Sequence, residues 1–335
     1  MTSHCHILFF CSVFAVLLNI SAGCSSRKVE QELIITPCAP LPVARTSATC
    51  FAYRGKCYVF GGRNDTTNFR KGFLGDCWAY DTMSDKWTRM PDMPFKPRTK
   101  AAALVVDDYV YCGLGFNGVI NTDSCYLKDW WRWHIPTDTW TRLADFPTTD
   151  TNMPVTAYYN KKIYSIFPTH SGSSRLVYEY DIQSDKWSQW PDDWHIETIG
   201  GATGAQIDSI CYAGGGYFLG MKSQWYAFNL ASATYIRKHD MPGGGRMFAS
   251  AALLNNRIYV FGGRKTAEYA KSETLLNDIL LYDYTADRWH YCGTLPFSGR
   301  DQMVSAVASD NIYFGTGEDR DLIPQNDWYC LKCAD

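Results

Sequence analysis

The stretch 258–296 reads IYVFGGRKTAEYAKSETLLNDILLYDYTADRWHYCGTLP. It opens on an apolar run that stops at two glycines. It then carries Tyr282 and Trp289 on either side of the six-residue turn DYTADR, and it ends on Leu295-Pro296. Each of these marks recurs elsewhere in the chain. The apolar run ending in small residues returns as CYVFGG at 57–62, VYCGLG at 110–115, CYAGGG at 211–216 and IYFGTG at 312–317. The spaced aromatics return as Tyr80 and Trp87, Trp133 and Trp140, Tyr180 and Trp187, and Phe228 and Tyr235, with turn text between them each time. An apolar residue before proline returns as Met93-Pro94, Phe146-Pro147 and Met241-Pro242. The period is about 50 residues, the length of one four-stranded unit of a radial repeat fold.

The residue choices follow from packing such units in a ring. Each unit is an antiparallel sheet, and neighbouring sheets stack face to face around a channel. Glycines end the second strand where no side chain fits between backbones. The aromatic pair straddles the hairpin of the third and fourth strands. It fills the wedge between sheets, which widens outward and needs large rings. The bulk numbers agree: 12 Trp, 22 Tyr, 17 Phe and 26 Gly, with charged residues only 20% of the chain, suit short strands and tight turns. Together the three patterns resemble Kelch repeats. The resemblance runs from about residue 32 to 335 and implies an all-β, six-bladed Kelch propeller. Blade 3 departs from it, with SIFPTH at 165–170 in place of the glycine pair, and blade 4 uses Phe228 and Tyr235 as its aromatics. The last blade has no fourth strand of its own, while ELIITPCAPLP at 32–42 reads like fourth-strand text. Residues 32–37 are therefore expected to pair with 327–332 and close the ring, removing an exposed sheet edge.

Residues 7–20, ILFFCSVFAVLLNI, are almost wholly apolar, and small residues and Cys24 follow. The run is short for a bilayer span and fits the core of an export signal. It resembles a lipoprotein signal over 1–23, with Cys24 the lipidated residue and 24–31 a tether. An ordinary cleaved signal with Cys24 a bystander is the alternative. The first reading puts the protein in the periplasm or on the cell surface of a Gram-negative bacterium, touching a membrane only through its lipid. Thirteen cysteines occur, and export would place those beyond the signal where disulfides can form. Cys57, Cys112 and Cys211 sit in apolar strand text and read equally as small buried hydrophobes. Cys330 and Cys333 form CLKC, but in a strand they face opposite sides. Strand direction also argues against a Cys38–Cys333 bridge.

Formal net charge is −2, with 32 Lys and Arg against 34 Asp and Glu. That balance gives no support to nucleic-acid binding, which needs a basic surface. Local cations are another matter. Arg45, Arg98, Arg246 and Arg300 recur at one place in the loops leading into first strands, and Arg63 and Arg264 follow glycine pairs. Ring symmetry would bring these six toward one channel mouth, where arginine forks can take a carboxylate or phosphate. Asp76, Asp129, Asp278 and Asp327 recur just before the third-strand aromatics and are the alternative partners for those arginines.

Two exported Kelch enzymes bear on the reading. The chain resembles the six-bladed sialic acid mutarotases, which open and close a sugar ring with an acid and a base. Arg300 and Glu318 of GTGE match that family's arginine and post-glycine glutamate, so the resemblance implies Glu318 as a catalytic acid. A second glutamate of that family has no counterpart in AGGGY at 213–217. The copper oxidase that acts on galactose is seven-bladed with further domains. Only His170 and His195 fall on expected mouth loops here, so neither metal nor cofactor is expected. The leading reading is a propeller lipoprotein that binds a small carbohydrate or other anionic ligand at its mouth. A sialic acid mutarotase is the alternative, and a protein-binding scaffold the third.

Overall fold

The structure, a computed structural model, describes residues 32–333 apart from 66–70, 119–124, 149–152, 169–176, 192–198 and 267–272. The signal at 1–23, the tether at 24–31 with Cys24, and the His170 and His195 pair lie outside the described residues. The strands form six four-stranded antiparallel sheets. Blades 1 to 5 take their four strands in order from 49–90, 102–143, 155–189, 203–238 and 250–294. In blade 6, Val304–Ala308, Asn311–Gly315 and Trp328–Cys333 are completed by Leu33–Cys38. The closing strand runs antiparallel, from Leu33 opposite Cys333 to Cys38 opposite Trp328. The expected closure stands, moved by one residue along each strand.

First strands line the channel, and their small side chains permit the close approach. The channel holds a cavity of about 210 Å³, lined by short residues of all six blades, among them Ala102, Thr156, Thr203 and Ser250. Hydroxyls stitch blade to blade there. Thr49 donates to the Ala101 carbonyl at 2.8 Å, Ser250 to Met303 at 2.9 Å and Ser305 to Ala251 at 3.1 Å.

The aromatic pairs face each other across their hairpins. Ring centroids are 5.1 Å apart for Tyr80 and Trp87, and 4.8 Å for Tyr282 and Trp289. Between blades, Trp328, Trp130 and Trp225 pack edge-on against Trp87, Trp187 and Trp289 of the next blade at 5.3, 5.5 and 5.2 Å. Edge-to-face pairs at this spacing are the favoured aromatic geometry. A latch reinforces the outer rim. Asp287 accepts from the Tyr282 hydroxyl and from the His239 backbone of the preceding blade, and Trp289 Nε1 donates to the His239 carbonyl. Asp85 with Trp87 and Asp185 with Trp187 repeat the arrangement on Ala39 and Ala144.

Cys38, Cys50, Cys57, Cys77, Cys112, Cys211, Cys330 and Cys333 form no disulfide among the described residues. Cys57, Cys112 and Cys211 are buried strand residues whose thiols are pushed well up by burial. Cys330 faces the seam with blade 1, whereas Cys333 lies against the Tyr259 hydroxyl of blade 5 at 3.2 Å. The two therefore point to opposite sides of their strand.

Candidate functional site

The leading-loop arginines do not reach the mouth as free cations. Arg45, Arg98, Arg246 and Arg300 are at most 5% exposed. Each guanidinium is clipped to the third-strand aspartate of its own blade: Arg45 to Asp76 and Arg98 to Asp129 by two bonds of 2.8 and 2.9 Å, Arg246 to Asp278 at 3.0 and 2.6 Å, and Arg300 to Asp327. The same groups donate to a carbonyl in the loop that ends the second strand: Gly61, Leu114, Gly262 and Thr316. The physical reason is desolvation. A guanidinium inside a loop layer is costly unless acceptors meet it on the spot, and a carboxylate opposite its planar fork meets its outer N–H groups, while Nε of Arg246 and Arg300 has no partner among the described residues. Burial alone would raise the Asp76 and Asp129 carboxyls, but the paired guanidinium and the Trp78 and Trp131 indoles hold both below the ordinary value. These four arginines, expected as ligand contacts, are structural clips.

The clips hold the loops that build the mouth. In blades 1, 4, 5 and 6 the backbone N–H of the last loop glycine reaches the next blade's arginine carbonyl: Gly62 to Arg98, Gly216 to Arg246, Gly263 to Arg300 and Gly317 to Arg45. At Gly262 (φ +64) an added Cβ would stand 2.6 Å from the Arg300 carbonyl oxygen, which no side chain tolerates. Two residues past each arginine position the chain turns left-handed. Ser47, Lys100, Met153, Gly201, Phe248 and Gln302, one per blade, all have φ between +50° and +70°. Five of them join in a hydrogen-bonded girdle around the mouth: the Lys100 N–H to the Ser47 carbonyl, Ser47 to Gln302, Gln302 to Phe248, and Phe248 to Gly201. Left-handed backbone at non-glycine residues costs roughly 1–2 kcal/mol each and gathers where function needs a fixed geometry.

A charged cluster sits on this girdle. Arg264 of blade 5 bonds Asp301 and, at 2.8 Å, Glu318, both of blade 6. Gln302 donates to the same Glu318 oxygen at 2.8 Å and accepts from the Ser47 hydroxyl. Asp301 is fully buried, and its Oδ1 has no hydrogen-bond partner among the described residues. Burial and the neighbouring Glu318 raise its carboxyl to about 6 against the pull of Arg264. Lys100 of blade 2 extends over the mouth to the opposite blade, where Nζ lies 4.2 Å from the centre of the Phe248 ring. Burial lowers its amine to about 8, and Arg264 and Arg63 assist while Asp301 and Glu318 oppose. Among the described residues neither Lys100 nor Arg63 has a carboxylate within ion-pair distance. Arg63 Nε is buried without a partner, and its backbone bridges Thr46 and Phe73. Phe73 and Phe116 meet beside it, with rings 5.9 Å apart, and Tyr126 lies 5.5 Å beyond.

The position after the glycine pair thus carries Arg63, Phe116, Tyr217, Arg264 and Glu318 in blades 1, 2, 4, 5 and 6. Charge gathers over blades 5, 6, 1 and 2, whereas blade 4 presents half-exposed Tyr217 and exposed Leu219. Known proteins resemble this ring of six four-stranded blades. A family model described as the KLHDC2/KLHL20/DRC7 Kelch-repeats domain matches residues 24–164, and the Kelch motif matches 245–296. The chain is a Kelch-repeat propeller. Its blades lie on the solved structure of YjhT with a TM-score of 0.70 over 88% of this chain and 97% of that one, at 16% identity. Among curated proteins, the Kelch propeller is 25% identical over 250 residues to an N-acetylneuraminate epimerase of Haemophilus influenzae, covering 72% of this chain and 58% of that protein. It is 25% identical over 218 residues to Kelch-like protein terF of Aspergillus terreus, covering 62% and 47%. The propeller therefore spans about half the length of the curated relatives it matches.

Of the expected site residues, the fold brings Arg63, Arg264 and Glu318 to the mouth and commits Arg45, Arg98, Arg246 and Arg300 beneath it. Sequence reading missed Lys100, Phe248, Asp301 and Gln302. Their signal was present in the text one and two residues past the arginines, ARTS, PRTK, GRMF and GRDQ, but only left-handed backbone reveals that the second position turns into the mouth.

Proposed function

We propose that this propeller is an exported protein, anchored through Cys24, that binds a small anionic ligand of carbohydrate type at the mouth over blades 1, 2, 5 and 6. The observation that carries the reading is the pair Arg63 and Lys100. Every other mouth or loop arginine named above is neutralised by a carboxylate, and among the described residues these two cations are not. The half-buried rings of Phe73, Phe116 and Phe248 flank them, and apolar faces with a few convergent polar groups are how small-molecule sites hold a ligand. The ligand carboxylate lies between Arg63 and Lys100, and its ring lies on the aromatic surface. Titrating the mature domain with sialic acid, followed by proton line broadening, tests this. Saturable broadening that Arg63→Ala removes is the expected result.

A second reading, sialic acid mutarotase, is favoured by Asp301 and Glu318. The two acids share Arg264, and the Asp301 carboxyl, raised to about 6, keeps a protonated fraction closer to neutrality than an ordinary aspartate, which suits a general acid. The similarity to N-acetylneuraminate epimerases supports it. Freshly dissolved sialic acid would then reach its anomeric equilibrium faster with the protein, and Glu318→Gln would abolish the acceleration. Broadening without acceleration leaves a binding propeller.

A further inference from the structure

We infer that the Lys100 amine condenses reversibly with the carbonyl of a small 2-oxo acid, forming an imine at the channel mouth. The inference rests on the binding reading above and adds a chemistry to it. Its ground is geometric. Lys100 is the left-handed girdle residue of blade 2, and its N–H is tied to the Ser47 carbonyl. Its side chain reaches Phe248 of blade 5, the blade opposite in a ring of six. Lys100 also lines the channel cavity of about 210 Å³. The amine therefore stands over the mouth, above a cavity lined by alanine, glycine, serine and threonine of the first strands.

Its surroundings suit a nucleophile better than an ion pair. Among the described residues no carboxylate lies within ion-pair distance of Nζ. Asp301, Glu318 and the Phe248 face favour the ammonium form, but burial outweighs them, with the cations Arg264 and Arg63 acting the same way as burial. With the amine near 8, roughly a tenth of it is free base at pH 7, against well under about one in a thousand for an ordinary lysine. Desolvation beside other cations is a recognised way to activate a lysine for carbonyl chemistry.

The neighbouring groups fill the remaining roles. Arg63 offers its guanidinium to the carboxylate next to the carbonyl. The Nζ lone pair attacks the carbonyl carbon, a C–N bond forms, and the carbonyl electron pair passes to oxygen, which takes up the proton that the nitrogen gives up. The resulting carbinolamine loses its hydroxyl as water, using the proton held by Asp301 and relayed through the mouth, while the nitrogen lone pair forms the C=N bond. Water reverses each step, so no oxidant or reductant is needed.

Pyruvate is the probe. Binding is read from broadening of its methyl proton signal, and the imine is trapped with borohydride, whose hydride turns C=N into a stable secondary amine. Peptide mass mapping then places the adduct. The expected result is trapping at Lys100 at least tenfold faster than at the exposed Lys86 and Lys186. Lys100→Arg should lose the adduct at that position while trapping at Lys86 and Lys186 stays at the wild-type rate. Arg63→Ala should slow trapping at Lys100 by about tenfold. Broadening of the methyl signal with labelling no faster at Lys100 than at Lys86 overturns the imine and leaves the anion site standing. Neither broadening nor adduct overturns both.

Discussion

Blades 1 and 2 and blade 4 reach the same sheet by different means. In blade 2, Arg98 and Asp129 form a buried, doubly bonded clip. In blade 4 the corresponding places hold Ile199, buried, and Gln224, whose Oε1 has no partner among the described residues. Blade 4 also lacks the rim latch, with Ala233 where blades 1, 3 and 5 carry the aspartate and Tyr235 where they carry tryptophan. Apolar packing compensates: Phe167 meets Phe228 at 5.4 Å, and the Tyr164 hydroxyl reaches the Leu230 carbonyl at 3.4 Å. The fold therefore does not need the ions. A buried pair is rarely more stabilising than well-packed apolar residues, but half of one is costly. The clip's contribution is to fix a loop: its arginine carbonyl takes the preceding blade's glycine N–H, and the girdle residue follows two positions later.

The largest effect expected from this comparison is Asp129→Ala, which strands the Arg98 guanidinium and should cost about 3–5 kcal/mol in denaturant unfolding. Writing blade 4's solution into blade 2, Arg98→Ile with Asp129→Gln, should recover most of that loss. If the double variant is as unstable as the single one, blade 4 is no guide to blade 2. Next comes the latch. Asp287→Ala removes the acceptor for Tyr282 and for the His239 N–H and should cost about 1–3 kcal/mol, whereas Ala233→Gly in blade 4 breaks no such contact. Equal losses at the two sites would remove the latch from the account.

Acid separates the clips from the mouth. The folded state holds Asp76 and Asp129 below the ordinary carboxyl value. Their contribution is whole above about pH 4 and is lost as pH falls through their folded values. Asp301 has the opposite sign. Its folded value is about 6, so the folded state binds more protons than the unfolded chain between about pH 4 and 6, and stability falls as pH rises across that window. Asp301→Asn should flatten that slope while leaving the acid limb set by the clips unchanged. The smallest effect concerns ligand: affinity for a carboxylate should drop a few-fold as pH rises through about 8 and Lys100 loses its charge, and Lys100→Arg should abolish the drop.

The propeller was legible because its constraints are local and repeated. Glycine pairs, hairpin turns and spaced aromatics each answer a backbone or wedge requirement that returns in blade after blade, and the unpaired strand at 32–42 could be matched to the missing one. Arg45, Arg98, Arg246 and Arg300 were legible as a set, but their direction was not. A recurring arginine looks the same in sequence whether it faces a ligand or an aspartate some 31 residues away, and burial decides between them. Lys100, Phe248 and Gln302, and Asp301 beside the last of them, escaped because the six girdle positions share a conformation and no residue type. A left-handed turn at Ser, Lys, Met, Phe and Gln leaves no compositional mark, unlike one at glycine.

The measurement that bears most directly on the central claim compares sialic acid binding by proton line broadening in the wild-type domain, Arg63→Ala and Lys100→Met, with the blade 2 double replacement as the control. The account predicts saturable binding that weakens at least tenfold in each mouth variant and persists in the folded control, because the clip positions only hold loops and the mouth cations bind. Binding unchanged by Arg63→Ala and Lys100→Met, yet lost with the clip replacement, would contradict it and return the ligand to the buried arginines.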